Sequence, residues 1–125
     1  MTERIPYDAR LDPPAPILSL RIHRTEDAPA IFLTALVDTG ADLTVIPESL
    51  ARQLAVLPVG HVRIRGVGGM AARVPMYSVE IEVAGLSRML RVVGVGDEAL
   101  VGRDLLNQFT LTLRGPQRVA EIEPS

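Results

Sequence analysis

Short segments in which apolar and polar residues alternate recur along this chain and limit the folds open to it. The clearest are ILSLRIH (residues 17–23) and YSVEIEV (residues 77–83). A period of two places apolar side chains on one face of an extended strand and polar side chains on the other. The apolar run AIFLTALV (residues 30–37) follows the first segment after the turn RTEDAP. Residues 17–37 are therefore predicted to form a hairpin.

The apolar composition agrees with a β-rich chain. Apolar residues make up 47% of the 125 but aromatic residues only 3%, so the core must be built from Val, Leu, Ile, Ala and Met. Branched aliphatic side chains favour strands. A chain of this length fits one domain, which buries roughly two-thirds of the surface that its unfolded form exposes. We therefore expect a single all-β domain.

Two short helices are predicted between the strands. PESLARQLA (residues 47–55) has a proline in its first turn and Leu50 and Leu54 four residues apart, which is typical of a helix. RDLLNQF (residues 103–109) suits one or two helical turns.

Two further hairpins are predicted. HVRIRGVGGMAARVPMYSVEIEVAG (residues 61–85) has a glycine-rich centre between two alternating segments, which indicates a long hairpin with a mobile tip. LTLRGPQRVAEIE (residues 111–123) indicates a closing hairpin that turns at Gly115 and Pro116.

The N-terminal segment has a different composition. Residues 1–16 contain four prolines and scattered charges, so we predict an extended arm that makes few ladder hydrogen bonds, followed by a folded domain at residues 17–125. No apolar run approaches membrane-spanning length, and no apolar segment near the start is typical of a signal peptide. The lack of Cys is compatible with a reducing compartment. We expect a soluble, cytoplasmic protein.

The charge balance bears on possible partners. The chain has 13 Lys and Arg residues and 15 Asp and Glu residues, a net charge of −2, and the two signs are interspersed. No basic stripe of the kind that follows a phosphate backbone is evident. Neither nucleic acid nor a membrane is an expected partner.

A lone carboxylate lies within the apolar segment ALVDTGADLTVIP (residues 35–47). Asp38 at the start of a turn could simply bond nearby backbone N–H groups. However, Leu36 and Val37 before it and Val45 and Ile46 after it indicate buried surroundings, and an ionised group without partners is costly to bury. From these residues alone a structural role is the simpler interpretation, but the placement of this carboxylate then requires some compensation.

Three motifs in order resemble the retropepsin family of aspartic proteases. They are ALVDTGA (residues 35–41), the glycine-rich IRGVGGM (residues 64–70) and LVGRDLL (residues 100–106). The likeness covers nearly the whole chain from about Ile17. It implies a closed β-barrel of the acid-protease fold, a single lobe with a flap hairpin, in which the two Ala-Leu-Val runs form crossed loops.

The resemblance also implies a set of site residues. Asp38, Thr39 and Gly40 are implied to be catalytic, and Arg103 and Asp104 to be structural support. The implied substrate contacts are Ala41, Asp42, Val67, Gly68, Gly69 and Met70.

Because each chain has one Asp-Thr-Gly, the resemblance implies a homodimer, and it implies a peptide or protein substrate. Two carboxylates about 3 Å apart cannot both be charged, so they share one proton. The ionised member can activate a water while the protonated member polarises the scissile carbonyl. The second carboxylate would be Asp38 of another copy. The implied activity is that of an aspartic endopeptidase.

The resemblance also implies an ion pair between Asp42 and Arg103, in which the guanidinium is expected to bind the carboxylate with two parallel hydrogen bonds. Loss of Arg103 is then predicted to leave the partly buried charge of Asp42 without a partner, which would lower the free energy of unfolding by a few kcal/mol. Asp104 is expected to cap the helix that begins beside it.

Other interpretations remain open. The same fold could serve as a non-catalytic module for dimerisation or peptide binding. RGVGGMA (residues 65–71) satisfies a loose dinucleotide pattern, but Pro75 and the alternation after it oppose the helix that such a site needs. His23 and His61 are predicted to be exposed strand ends, and Glu80 and Glu82 to line a solvated face. No metal or organic cofactor is implied.

Overall fold

The computed structural model describes residues 2–65 and 68–124, and within them the fold is mostly β. Two short helices accompany the strands: Glu48–Leu54 (α1) and Arg103–Leu106 (α2). The strands are Glu3–Pro6 (β1), Ile17–His23 (β2), Ile31–Val37 (β3), Val45–Ile46 (β4), Gly60–Arg65 (β5), Ala71–Val83 (β6), Leu86–Gly94 (β7), Leu100–Val101 (β8), Phe109–Arg114 (β9) and Val119–Pro124 (β10). Neither helix is long and apolar enough to cross a membrane.

Six strands form a closed barrel. They follow the order β2-β3-β8-β4-β7-β6, and β2 pairs again with β6 to close the ring, while β5 extends outward from β6. The predicted all-β, single-lobe barrel is confirmed. So are the hairpins β2–β3, β5–β6 and β9–β10 and both helices.

The alternation of apolar and polar residues in β2 determines which of its side chains face the barrel interior. Leu18, Leu20 and Ile22 are buried, whereas Ser19 and Arg21 between them are exposed. Each buried Leu or Ile side chain contributes about 2 kcal/mol relative to an exposed one. Residues of β6 and β7 and the apolar side of α1 complete the same core.

The N-terminal segment does not behave as predicted. β1 lies antiparallel beside β10 and forms a three-stranded sheet with β10 and β9, so the expectation of few ladder hydrogen bonds is wrong. Ile5 is buried in the main core cluster. β1 is an edge strand of this sheet, and Pro6 is tolerated there because only one side of an edge strand takes part in the ladder. A four-residue strand with one buried side chain has too little periodicity to be recognised in a proline-rich segment.

His23 is buried, although the sequence predicts an exposed strand end. Its Nδ1 lies 2.8 Å from the carbonyl oxygen of Ala28, and its Nε2 lies 2.8 Å from Oε2 of Glu82. The imidazolium form, which carries a hydrogen on each ring nitrogen, can donate to both oxygens at once, so the two contacts favour that form. The Ala28 carbonyl, and next the Glu82 carboxylate, raise the pKa of His23 above its ordinary 6.5. Glu82 is therefore not simply a solvated strand residue, since the His23 hydrogen bond lowers its pKa.

This contact is expected to make stability depend on pH. A group whose pKa is raised by folding contributes stability that is complete below its unfolded pKa and lost as the pH rises through its folded pKa. The difference in free energy of unfolding between wild type and His23→Gln should be larger at about pH 5.5 than at about pH 9. Urea denaturation at both pH values measures it, with exposed His61→Gln as the control. An equal difference at the two pH values would contradict a charged His23.

Candidate active site

The two Ala-Leu-Val runs lie side by side in the barrel. β3 and β8 pair in parallel, with Leu36 opposite Leu100 and Val37 opposite Val101. β8 in turn lies between β3 and β4. Residues 38–44, here called the Asp38 loop, must therefore pass across the end of β8 to connect β3 with β4.

Gly102 lies directly beneath this crossing. A Cβ built on Gly102 would lie 2.6 Å from both the carbonyl carbon and the oxygen of Leu43, and 3.0 Å from the carbonyl oxygen of Ala41. These atoms belong to the backbone and cannot swing aside like the end of a side chain. The close approach of the two chain segments thus requires glycine.

Asp38 is half-buried at the start of the loop. Its backbone N–H donates to the carbonyl oxygen of Val101 at 3.0 Å, and its Oδ1 accepts the N–H of Gly40 at 3.0 Å. A Cβ on Gly40 would come within 3.3 Å of that same Oδ1. Backbone contacts on both sides therefore set the position of the carboxylate.

The first residues of α2 are joined to the Asp38 loop by backbone hydrogen bonds. The N–H of Arg103 donates to the carbonyl oxygen of Ala41 at 2.9 Å, and the N–H of Asp104 donates to that of Asp42 at 3.3 Å. Sequence positions about 60 residues apart, near 40 and near 103, thus form one unit.

Arg103 and Asp42 form the predicted ion pair, but its geometry differs from the expected bidentate grip. Nη2 of Arg103 donates to Oδ1 of Asp42, while Nη1 donates to the carbonyl oxygen of Thr39 at 2.7 Å. The guanidinium thus holds both the backbone and a side chain of the loop. The Asp42 side chain is 83% exposed and that of Arg103 45% exposed, so the pair is not the partly buried one that the sequence predicts.

Removal of this pair is accordingly expected to have a small effect on the isolated subunit. Exposed ion pairs contribute about 1 kcal/mol or less. Arg103→Ala should lower the free energy of unfolding by about that amount, measured by urea denaturation at low protein concentration. Asp42→Asn, which removes the charge and keeps an acceptor, should cost no more. A loss of about 3 kcal/mol would show that the pair is buried under those conditions.

Asp104 does not cap α2, which corrects the sequence-based expectation. The N-cap residue is Gly102, and no side chain in the described part of the chain caps that end. Asp104 instead accepts two hydrogen bonds from Thr44: Oδ1 from the hydroxyl at 2.7 Å and Oδ2 from the backbone N–H at 3.0 Å. It secures the far end of the Asp38 loop.

Sequence reasoning missed Thr44, which is fully buried. Its hydroxyl oxygen also accepts the N–H of Gly102 at 3.1 Å, so one side chain joins the loop, Gly102 and Asp104. The available signal was a single polar residue between Leu43 and Val45, because a buried hydroxyl must find a hydrogen-bond partner.

The β5–β6 hairpin carries the other predicted substrate contacts. Gly68 and Gly69 have φ values of +92° and +79°, which favour glycine, and Met70 is 82% exposed. Val67 lies outside the described residues. Among the residues described, no hydrogen bond or ion pair joins the hairpin tip to the Asp38 loop of the same chain.

The glycine-rich segment lacks the surroundings of a dinucleotide site. The strand β6, and not a helix, follows it, so no helix N-terminus is available for a pyrophosphate. Within residues 2–65 and 68–124, no cluster of three His, Asp or Glu side chains is arranged to hold a metal ion.

Comparison with known proteins bears on this arrangement. No curated protein shows significant similarity to the chain. A family model described as retroviral aspartyl protease matches residues 13–114, which include the Asp38 loop, the β5–β6 hairpin and α2. Because the match covers most of the chain, this protein belongs to the retroviral aspartyl protease family, and its membership supports aspartic protease activity in general.

Proposed function

We propose that this chain is one subunit of a homodimeric aspartic endopeptidase. Each active site would combine Asp38 of one subunit with Asp38 of a second copy. Family membership supports the reaction class. A single Asp-Thr-Gly per chain supports the dimer, because a two-fold axis places equivalent residues opposite each other.

The observation that supports this proposal is the set of hydrogen bonds and ion pairs made by the three aspartates near Gly102. Asp42 pairs with Arg103, and Asp104 is bonded to Thr44. Asp38 has no cationic partner among the described residues, and one backbone N–H engages only its Oδ1. Of these three aspartates, Asp38 is therefore the one whose carboxyl group is available for acid–base chemistry.

The dyad would divide the two tasks of hydrolysis. At about 3 Å apart the two carboxyl groups share one proton, so one acts as base and the other as acid. The base takes a proton from a water that attacks the scissile carbonyl carbon, and the acid hydrogen-bonds to the carbonyl oxygen. Proton transfer to the amide nitrogen then releases the amine, without a covalent acyl-enzyme.

The remaining predicted residues would have supporting roles. Thr39 and Gly40 would complete the catalytic turn, and Ala41 and Asp42 would contact the substrate backbone. The tip of the β5–β6 hairpin, with Met70 exposed on it, would act as a flap over the substrate. Met is unbranched and flexible, so it can adapt to different substrate side chains.

Digestion of a diverse peptide pool tests the proposal. The wild type should cleave peptides, whereas Asp38→Asn should show no cleavage while it stays folded, because an amide cannot share the proton. Asp27→Asn is the matched control, since Asp27 is exposed in the turn after β2 and carries the same charge. Mass spectrometry of the products measures the cleavage. Wild-type cleavage by Asp38→Asn would contradict the proposal.

A non-catalytic dimerisation or peptide-binding module is the second candidate. The bond from Gly40 N–H to Asp38 Oδ1 favours it, because an Asp that satisfies its own turn can be purely structural. This candidate predicts peptide binding without product formation by the wild type.

A further inference from the structure

Three arginines and a histidine share one face of the β5–β6 hairpin. Arg63 lies directly opposite Arg73, Arg65 opposite Ala71 and His61 opposite Pro75. Residues opposite each other across a ladder point to the same side, as do alternate residues of one strand. His61, Arg63, Arg65 and Arg73 are all exposed, and this set is called the basic face below.

The other side of the hairpin is apolar, so the basic face cannot turn inward. Val62 and Ile64 are half-buried and Val74 is buried. A slip of one residue in the ladder would exchange the two faces and expose these apolar residues. The arginines are therefore held outward.

The positive charges of the basic face are not balanced within the described part of the chain. No ion pair there involves Arg63, Arg65 or Arg73, whereas six other arginines each pair with a carboxylate. No Asp or Glu occurs between Glu48 and Glu80, so the interspersed charges of the whole chain have an exception here. Like charges directly opposite each other destabilise a ladder. An external anion would relieve that repulsion.

The position of β5 in the sheet favours an extended peptide as that anion. β5 is the last strand of its sheet and pairs only with β6 among the strands described. An unpaired strand edge can accept an added strand through main-chain hydrogen bonds. Alternate side chains of such a strand would lie beside Arg63 and Arg65, which are two residues or about 6.7 Å apart. The net charge of −2 opposes binding of a long polyanion over the whole surface.

We propose that the basic face and the free edge of β5 bind an extended acidic polypeptide segment with carboxylates at alternate positions. Arg63 and Arg65 contact two successive carboxylates of that segment, and Arg73 adds charge from the neighbouring strand. This binding does not require the chain to hydrolyse peptides, so it stands apart from the proposed protease activity.

The test uses a labelled peptide in the Asp38→Asn background, where the probe cannot be consumed by the proposed reaction. The probe alternates Glu with Thr, and its partner probe has Gln in place of every Glu. Fluorescence anisotropy should show saturable binding of the Glu probe only, weakened by added salt. Arg63→Gln with Arg65→Gln should weaken it about tenfold.

Controls separate a local site from general charge. Arg24→Gln with Arg88→Gln removes the same charge from two exposed arginines that form no ion pair among the described residues, and should leave affinity unchanged. Equal weakening by both double variants would overturn the proposal, as would equal binding of both probes. Tighter binding of a single-stranded DNA of equal charge would assign the face to nucleic acid instead. Circular dichroism checks folding, and Arg65→Gln alone serves if the double variant unfolds.

Discussion

Addition of Asp38→Asn subunits to an equal amount of wild type is expected to reduce total hydrolytic activity by about half. If subunits exchange freely and all are dimeric, about one quarter of the dimers then contain two wild-type chains and about half are mixed. A mixed dimer has one carboxyl group and one amide at its axis. It cannot divide one proton between two carboxylates, so it should be inactive.

The control for this experiment is Asp27→Asn, which changes the same charge at an exposed position between β2 and β3, outside the Asp38 loop. Its addition should increase activity in proportion to the added protein. Subunit exchange has to be verified separately, for example by native mass spectrometry of chains with different isotope labels. Activity that stays constant on addition of Asp38→Asn, with exchange verified, would mean that each chain carries a complete site.

Gly102→Ala is expected to destabilise the folded subunit by about 3 kcal/mol, the upper end of the usual cost of overpacking. The added methyl group would lie 2.6 Å from backbone atoms of Leu43. Separation of the segments would stretch the bond from Gly102 N–H to the Thr44 hydroxyl and those from Arg103 and Asp104 to the loop. Chemical denaturation of wild type and variant measures the difference in free energy of unfolding.

Gly115→Ala provides the matched control. Among the described residues, no heavy atom lies within 4 Å of a Cβ built there, so this change should alter stability by less than about 1 kcal/mol. If Gly102→Ala were as harmless as Gly115→Ala, the Asp38 loop would not pass close over Gly102. Loss of activity with unchanged stability would likewise argue against a structural role for that contact.

The elements that could be predicted from sequence are those with local signals. The period of two identified β2, and the glycines identified the turn between β5 and β6. The crossed arrangement was implied by the resemblance to the retropepsin family, through the Ala-Leu-Val runs at residues 35–37 and 99–101, and these runs now form the parallel pair β3 and β8.

The errors share a different physical origin, because each depends on contacts distant in sequence. An acid at the start of a helix is normally a cap, but Asp104 bonds to Thr44, 60 residues away. His23 occupies an outward position by alternation, yet it contacts Glu82, 59 residues away, in addition to Ala28 in the following turn. β1 gains its ladder only from β10, at the opposite end of the chain. No local pattern encodes these pairings.

The pairing of β1 with β10 also has a kinetic consequence. Glu3 lies opposite Ile122, and Leu36 opposite Leu100, so closure of both sheets must wait for very long loops to form. Chains dominated by such distant contacts fold slowly, in roughly milliseconds to seconds, because closing long loops costs conformational entropy before the contacts form and compensate for it. Until β1 arrives, the outer edge of β10 keeps a row of unpaired N–H and C=O groups, which another unfolded chain could use as a template.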